Sequence, residues 1–194
     1  MSSLTTQIRV HGRGGQGVVT AAELIALAAT FDGQEAQAFP FFGVERSGAP
    51  VVSFARISNQ PIKTREQIYQ PDYLIIQDET LIGAENILAG AHLQTKIIIN
   101  TSLNNTEIFR QFKKSSPQTK IRQENIICSP ATAVAMAVIG KNIVNTIILA
   151  SLAKNSPLFS LKSLKRAVQQ KLESKGEAVI AQNLKAIDLI YESH

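Results

Sequence analysis

Short apolar runs alternate with longer apolar and amphipathic stretches along this chain, which predicts a fold built from strands and helices in layers. The strand-like runs are rich in Ile and Val, and most of them end in polar residues. They cover residues 7–11, 35–39, 51–57, 73–77, 96–100 and 126–129. The last three end at Asp78-Glu79-Thr80, Asn100-Thr101-Ser102 and Ser129, at the carboxyl strand ends where open α/β sheets hold their ligands. Runs that are apolar at nearly every position are typical of strands buried on both faces. The pattern therefore predicts an α/β fold in which a mostly parallel sheet is covered by helices on both faces.

The last third of the chain is predicted to be helical. Residues 130–139 and 142–153 form two apolar stretches that are divided at Gly140. Apolar residues then recur at helical spacing from Leu161 to Leu172 and again from Ile180 to Tyr191, with basic residues between them. These last two stretches read as amphipathic helices that cover the sheet. With 194 residues, residues 1–194 are expected to form a single domain with a proper core.

One glycine-rich stretch stands between the first predicted strand and a long apolar run from Val18 to Phe31. This stretch consists of Gly12, Arg13, Gly14, Gly15, Gln16 and Gly17. The order strand, tight glycine loop, helix is a Rossmann-like start, in which the backbone amides that open the helix face the loop. Glycine permits positive φ angles and leaves room for a phosphate or another chain to approach. We therefore treat these six residues as candidate cofactor-binding residues.

The spacing of Gly12, Gly14 and Gly17 also fits the dinucleotide pattern G-x-G-x-x-G. The full pattern requires a carboxylate at the end of the second strand, roughly 20 residues further on, to hold a ribose hydroxyl. Here the second strand ends in Ala38-Phe39-Pro40, and Glu35 lies at its start. The loop is therefore interpreted in two ways that stay open: it faces a phosphate or cofactor, or it is a tight turn used only for packing or docking.

The segment from Gln37 to Pro50 is the second informative stretch, because it places three Phe among two Pro and two Gly and adds a charged pair. Exposed aromatic residues beside Glu and Arg are typical of an interface. The alternative is a loop that folds over the domain's own core. The candidate subunit-interface residues are Phe39, Phe41, Phe42, Glu45 and Arg46.

Charge and composition narrow the functional classes. The net charge is +5, but residues 1–95 carry −3 and residues 96–194 carry +8, so the second half suits an acidic partner subunit, an anionic ligand or simply a solvated surface. The chain has no Trp and is 6% aromatic, which argues against a base-stacking nucleic-acid surface. No apolar run approaches the roughly 20 residues that span a bilayer, and no signal peptide is evident. The expected location is the cytoplasm.

Catalytic side chains are sparse in this sequence. The three histidines, His11, His92 and His194, are widely spaced and form no metal-ligand pattern, so no metal site is expected. His11, beside the glycine loop, is either packed or in reach of a ligand. Cys128 is the single cysteine, so this chain cannot ligate an iron–sulfur cluster alone, and we expect an inert core thiol. No catalytic residue is predicted, and the chain looks like a domain whose chemistry is completed elsewhere.

The stretch from Gly12 to Leu24 and the stretch from Gln37 to Val51 together closely resemble the gamma subunit of pyruvate:ferredoxin (or flavodoxin) oxidoreductases, of the 2-oxoacid:acceptor oxidoreductase family. The likeness continues through Arg56-Ile57, Gln77-Asp78 and Asn145 and covers almost the whole chain. One departure is Ser47, where an arginine commonly follows the one at 46, so one interfacial or anionic contact is in doubt.

The resemblance implies a division of labour among subunits. The complex decarboxylates a 2-oxoacid on thiamine diphosphate, passes electrons through iron–sulfur clusters to ferredoxin or flavodoxin, and transfers the acyl group to coenzyme A. Thiamine diphosphate, Mg²⁺ and the 4Fe–4S clusters are then expected on partner subunits. This chain is expected to dock beside them, with the loop from Gly12 to Gly17 facing coenzyme A phosphates or the interface. Arg13 is the candidate charge and Gln16 the candidate polar contact, and pyruvate is the expected substrate.

Two other classes remain possible from the sequence. One is a free-standing nucleotide-dependent oxidoreductase that uses the G-x-G-x-x-G loop. The other is a regulatory or scaffolding module that has the fold without contributing to a site.

Overall fold

Six strands form one mixed sheet in the computed structural model, which describes residues 5–41, 48–83 and 86–193. Phe42, Glu45 and Arg46, which were predicted as interface residues, lie outside the described residues. The strands begin and end within two residues of the predicted bounds. They are β1 (Thr6–Arg13), β2 (Glu35–Pro40), β3 (Pro50–Ser58), β4 (Tyr73–Ile76), β5 (Lys96–Asn100) and β6 (Ile126–Ser129).

The helices follow the predicted order, with one addition. They are α1 (Val18–Phe31), α2 (Asn105–Ser115), α3 (Ala131–Val138), α4 (Ile148–Asn155), α5 (Leu161–Leu172) and α6 (Glu177–Ser193), and short 3-10 turns lie at Glu79–Leu81, Gln123–Asn125 and Glu173–Lys175. Within the described ranges, none of the helices is long and apolar enough to cross a membrane.

The sheet has the strand order β2-β3-β1-β4-β5-β6. Strands β1, β4, β5 and β6 pair in parallel, whereas β3 is antiparallel to both of its neighbours, β1 and β2. Five of the six strands therefore run in one direction, which confirms the mostly parallel sheet. The Rossmann-like start differs in one respect, because β3 separates β1 from β2 and helix α1 crosses over it.

Apolar side chains leave the sheet on both faces and form two cores. On β4, Tyr73 and Ile75 face one core, whereas Leu74 and Ile76 face the other, as the pleat of a strand requires. Helices α1, α3, α4, α5 and α6 cover the first face. Helix α2 and the segment that contains Leu81 and Ile87 cover the second face of the parallel strands. Coverage on both faces explains why β4 and β5 carry apolar residues on both faces.

One helix was not predicted, and one predicted helix begins later than expected. The sequence pattern did not predict α2, although Asn104 accepts a hydrogen bond from the Glu107 amide and the Glu107 side chain returns one to the Asn104 amide, which is a capping box. The helix expected over residues 142–153 begins only at Ile148. Thr146, just before it, donates its hydroxyl to Asn183 of α6 at 2.7 Å, so a polar side chain of this turn is used to attach α6.

Candidate functional site

The glycine loop needs glycine at two positions for backbone reasons. Gly15 and Gly17 have φ angles of 93° and 69°, in the left-handed region that side chains disfavour. Gly17 also meets a neighbour, since a Cβ placed on it would lie 2.4 Å from the Nδ2 atom of Asn145. The loop is therefore packed closely against the segment before α4.

Gly12 lies at the end of β1, below the loop. A Cβ at this position would lie 2.6 Å from Cγ2 of Val18 and 3.1 Å from the Oε1 atoms of both Gln16 and Gln77. A larger residue would thus push apart the start of α1 and two side-chain amides. Gly12 is required by close approach, since its own φ is not among the positive ones.

Arg13 directs its guanidinium towards partners within the chain. Nη1 donates to the carbonyl oxygen of Gly48 at 3.1 Å, and Nε and Nη2 donate to Oγ1 of Thr80 at 3.1 and 2.7 Å. Nε also lies 3.3 Å from Oδ2 of Asp78, in a partly exposed ion pair. Arg13 therefore fastens the glycine loop to the start of β3 and to the turn after β4.

Asp78 is the centre of this arrangement. Its Oδ2 accepts from Nε2 of Gln16 at 2.8 Å, and its Oδ1 accepts from the amide and the hydroxyl of Thr80 at 3.0 and 2.5 Å. Gln16 in turn accepts from the Arg13 amide at 2.7 Å. Burial alone would raise the pKa of Asp78, but the hydrogen bonds from Thr80 and Gln16 and the charge of Arg13 hold that pKa below its usual range. The carboxylate is therefore ionised at neutral pH.

A cleft of about 350 Å³ opens beside the loop, at the carboxyl ends of the parallel strands. The polar residues that follow β4 and β5 meet here, beside Pro130 at the end of β6, where open α/β sheets hold their ligands. Among its described lining residues are two carboxylates and no lysine or arginine. The lining residues are Gln16, Gln77, Asp78, Glu79, Thr80, Asn100, Thr101, Ser102, Pro130, Thr132, Ala133 and Asn142.

Gln77 stands out among them because its side chain is buried without partners. It is 1% exposed, and both Nε2 and Oε1 lack a hydrogen bond among the described residues. Its backbone is firmly held, since its carbonyl oxygen accepts from Nδ2 of Asn100 at 3.0 Å. Asn100 also accepts from the amide of Thr132 at 3.0 Å. A buried amide without partners is uncommon in a native fold and indicates a missing ligand, ion or water.

Sequence reasoning missed Gln77 as a site residue, although Gln77-Asp78 was part of the resemblance. The feature of the sequence that could have identified Gln77 is its position directly after a buried strand. The strand-end rule predicted Asp78, Glu79, Asn100 and Thr101 at one edge, and the structure brings them together. Whether an amide at that edge has partners depends on tertiary contacts that no local pattern contains.

His11 is packed and does not face the cleft. Its Nε2 accepts from Nε of Arg9 at 2.9 Å. Burial and the nearby charge of Arg9 lower the pKa of His11 to about 3, so the ring is neutral at physiological pH. Cys128 is half-buried in β6, and burial raises the pKa of its thiol to about 11, which keeps the thiol protonated and unreactive.

The described part of the aromatic segment divides between two environments. Phe39 lies on the sheet, where its ring packs 5.2 Å from that of Phe54 and the guanidinium of Arg56 lies 5.1 Å from its centroid. Phe41 is 44% exposed, and its amide donates to the carbonyl oxygen of Val52 at 3.2 Å. The structure thus brings Phe39 into the domain and turns Phe41 outwards.

Fold and site together define an α/β subunit that presents a polar cleft at the carboxyl edge of its sheet. Within the described residues, no group of three potential metal ligands accompanies it. The profile of the family described as pyruvate ferredoxin/flavodoxin oxidoreductase matches residues 7–193. The chain belongs to this family, and it is a gamma subunit of a 2-oxoacid:ferredoxin oxidoreductase complex.

Two relatives are similar to this chain over most of their length. The pyruvate synthase subunit PorC of Methanosarcina barkeri is 44% identical over 163 residues, which make up 84% of each chain. The common gamma subunit of the pyruvate and ketoisovalerate oxidoreductases of Pyrococcus furiosus is 40% identical over 163 residues, again 84% of each chain.

Solved structures share the fold. The pyruvate oxidoreductase subunit PORC of Thermotoga maritima superposes with a TM-score of 0.77 at 30% identity, over 97% of this chain and 96% of that one. A 2-oxoglutarate:ferredoxin oxidoreductase from Magnetococcus marinus, solved with 2-oxoglutarate, coenzyme A and succinyl-CoA bound, has a TM-score of 0.72 at 20% identity, over 98% of this chain and 31% of that one.

Proposed function

We propose that this gamma subunit serves a cytoplasmic complex that oxidises and decarboxylates pyruvate to acetyl-CoA and CO2 and reduces ferredoxin or flavodoxin. The names of the relatives as pyruvate synthase subunits favour pyruvate over other 2-oxoacids. Thiamine diphosphate, Mg²⁺ and the 4Fe–4S clusters belong on partner subunits in this proposal. Cys128 supports the last point, because one cysteine cannot supply the four thiolates of a cluster.

In this proposal the cleft and the loop from Gly12 to Gly17 contact coenzyme A in the assembled complex. The 2-oxoglutarate:ferredoxin oxidoreductase that shares the fold was solved with coenzyme A bound, which makes this ligand class a natural candidate. The observation that carries the proposal is Gln77, whose buried side-chain amide has no hydrogen-bond partner in the part of the chain that the structure describes and lines a cleft at the ligand-binding edge. An amide or hydroxyl group of coenzyme A would supply the hydrogen bonds that Gln77 lacks.

The charges of the cleft indicate which part of coenzyme A the cleft binds. Asp78 and Glu79 line the cleft, and the guanidinium of Arg13 is engaged by Gly48, Thr80 and Asp78. Among the described residues, a phosphate placed there would face carboxylates without a free cation, which costs free energy in a partly buried site. We therefore assign the uncharged part of coenzyme A to the cleft. Arg13 then positions the loop, and Gln16 remains the polar contact.

Gln77→Leu tests this assignment in the assembled complex. The variant loses both amide atoms at nearly constant volume, so KM for coenzyme A should rise about tenfold, as expected for about 1.4 kcal/mol of lost hydrogen bonding. KM for pyruvate should stay within a factor of two. Folding of the chain should not suffer, because the variant removes unpartnered polar atoms from the interior. The control is Gln170→Leu, at an exposed position on α5.

An unchanged KM for coenzyme A in an intact Gln77→Leu complex would remove the cleft from coenzyme A binding. The loop would then be assigned to packing or to the subunit interface. In either case the described interface candidates, Phe39 and Phe41, form part of the segment that we propose docks against the catalytic subunits. Phe41 supports this because it is a large apolar side chain left exposed.

The two other classes have weaker support. The insertion of β3 between β1 and β2 removes the second strand from the edge where a dinucleotide ribose would be held, which disfavours a free-standing nucleotide-dependent enzyme. A purely scaffolding role would leave the partner subunits fully active without this chain, and a comparison of turnover with and without the chain distinguishes that case.

A further inference from the structure

A second pocket lies at the end of the sheet opposite the cleft, near the start of β1. Its volume is about 380 Å³. We call it the Arg56 pocket, because this arginine of β3 lies among its lining residues. The lining residues are Thr5, Gln7, Arg56, Thr64, Glu66, Gln67, Tyr69 and Gln70. Nothing in the proposed chemistry of the cleft uses it.

Arg56 is a buried charge with incomplete partners. Its side chain is 3% exposed, and Nη2 donates to the carbonyl oxygen of Glu66 at 2.6 Å. Nη1 has no hydrogen-bond partner among the described residues. The guanidinium lies 5.1 Å from the centroid of the Phe39 ring, and the charge of Glu66, which lines the same pocket, acts on it without a direct ion pair among the described residues. Burying a guanidinium without a directly paired carboxylate is costly.

A second buried arginine strengthens the positive field on this face of the sheet. Arg9 of β1 is 7% exposed, and its Nη2 donates to the carbonyl oxygens of Ile87 and Ala89, each at 2.8 Å. Its Nε donates to neutral His11, so carbonyl groups and a ring nitrogen are its acceptors. Burial lowers the pKa of Arg9 to about 10, which leaves it charged at neutral pH. Two buried cations on neighbouring strands thus face the same segment without a paired carboxylate among the described residues.

The segment that forms the mouth of the pocket is held in place by its backbone. Arg56 binds the carbonyl oxygen of Glu66, and Nη1 of Arg9 donates to that of Ile68 at 3.4 Å. Gly90 packs against the next residue, since a Cβ on Gly90 would lie 1.7 Å from the carbonyl oxygen of Tyr69. On this fixed backbone the side chain of Tyr69 is 70% exposed. Tyr and Arg are enriched at protein–protein interfaces. An exposed tyrosine on a fixed backbone, beside a buried arginine, is therefore typical of such a contact.

We propose that the Arg56 pocket is a docking site for a carboxylate-bearing segment of a partner subunit in the same complex. A carboxylate in this pocket would compensate the guanidinium at short range and in a medium less polar than water, where charge pairs are stronger than at an open surface. Tyr69 covers the apolar part of the same segment. The chain would then contact its partners through the aromatic segment and through this pocket, which adjoin each other because the Arg56 guanidinium lies 5.1 Å from the centroid of the Phe39 ring.

The direct test replaces Tyr69 with the photo-crosslinking residue p-benzoylphenylalanine in the full complex. Irradiation followed by peptide mass spectrometry should join position 69 to a partner-subunit peptide that contains Asp or Glu near the linked residue. A complex that remains intact but gives no cross-link at 69, or links 69 to a second copy of this chain or to a peptide without acidic residues, overturns the proposal. The same residue at position 41 examines the aromatic segment separately.

The charge requirement has its own test, which avoids altering the buried arginine. Gln67→Glu places a carboxylate at the mouth of the pocket, where it pairs with Arg56 and repels an incoming acid. The salt concentration at which the complex dissociates, measured by analytical ultracentrifugation, should fall at least twofold. The matched control, Gln170→Glu on α5, adds the same charge elsewhere on an exposed surface and should leave that concentration unchanged.

An equal response of the two Gln→Glu variants would show that only net charge matters and would contradict a specific pocket. These readouts are independent of the coenzyme A assignment, because Gln77→Leu reports on KM for coenzyme A in a complex whose assembly is unaltered. Either proposal therefore fails without the other.

Discussion

Gly90 lies closer to a neighbouring backbone than any residue with a side chain would allow. It has a φ of 72°, and a Cβ would lie 1.7 Å from the carbonyl oxygen of Tyr69. Gly90→Ala should therefore lower the free energy of unfolding by about 2 to 4 kcal/mol, because left-handed strain adds to a backbone clash. The measurement is urea unfolding of the full chain.

Gly33→Ala is the matched control for that prediction. Gly33 has a φ of 79°, but nothing lies within 4 Å of its Cβ position. This variant should lose only about 1 kcal/mol, the cost of the left-handed backbone alone. Equal losses at the two positions would contradict the proposed packing of Gly90 against the Tyr69 backbone.

His11 should make the stability of the chain depend on pH. Its folded pKa of about 3 lies below the usual value of 6.5, so the unfolded chain binds the proton more readily. Stability is then fully present above pH 6.5 and is lost as pH falls towards 3, by about 1 kcal/mol per pH unit where the folded ring stays neutral.

Replacing His11 by Gln should flatten this loss between pH 6.5 and pH 4, as measured by denaturant unfolding at several pH values. His92→Gln is the control, because His92 lies in a loop where its Nδ1 accepts only from the amide of Gln94. An identical pH profile for wild type and His11→Gln would show that His11 is not buried as a neutral ring.

At the scale of elements, helix α2 depends on its first turn. Its buried residues are Ile108 and Phe112, Phe109 packs against the same core in part, and the other residues of the helix are polar. Asn104→Ala removes the acceptor for the Glu107 amide and should lower the free energy of unfolding by about 1 kcal/mol. Gln111→Ala, at an exposed position of the same helix, should change stability by less than about 0.5 kcal/mol, measured in the same thermal or urea unfolding experiment.

How well an element could be predicted depended on how strongly it is buried. Strands β4 and β5 and helix α1 are apolar at most positions, so their patterns were clear and their bounds were correct within two residues. Helix α2 was missed because only two of its residues are buried, and its clearest signal was the cap pair Asn104 and Glu107. The late start of α4 was missed because Thr146 is used to bind Asn183, a contact between distant residues.

At the scale of the whole molecule, the sequence predicted which strand ends carry the site but not how the strands are ordered. Polar tails after β4 and β5 meet at the cleft as parallel strands require. The insertion of β3 between β1 and β2 was not predictable, because strand pairing depends on contacts between distant residues. The same holds for Gln77 and Arg56, whose missing partners become visible only when every neighbour is in place.

The two proposed sites lie at opposite ends of the sheet, and this separation predicts that they act independently. A chain that combines Gln77→Leu with Gln67→Glu should show the KM for coenzyme A of the first variant and the dissociation behaviour of the second. Distant sites without shared partners add within about 0.5 kcal/mol, which corresponds to about a twofold change in either quantity. Steady-state kinetics gives the KM for coenzyme A, and sedimentation gives the salt concentration of dissociation. Both are measured for the complexes with wild-type chain, each single variant and the double variant. If Gln67→Glu alone raised KM for coenzyme A severalfold while the complex stayed assembled, the sheet would have to transmit docking at one end to ligand binding at the other.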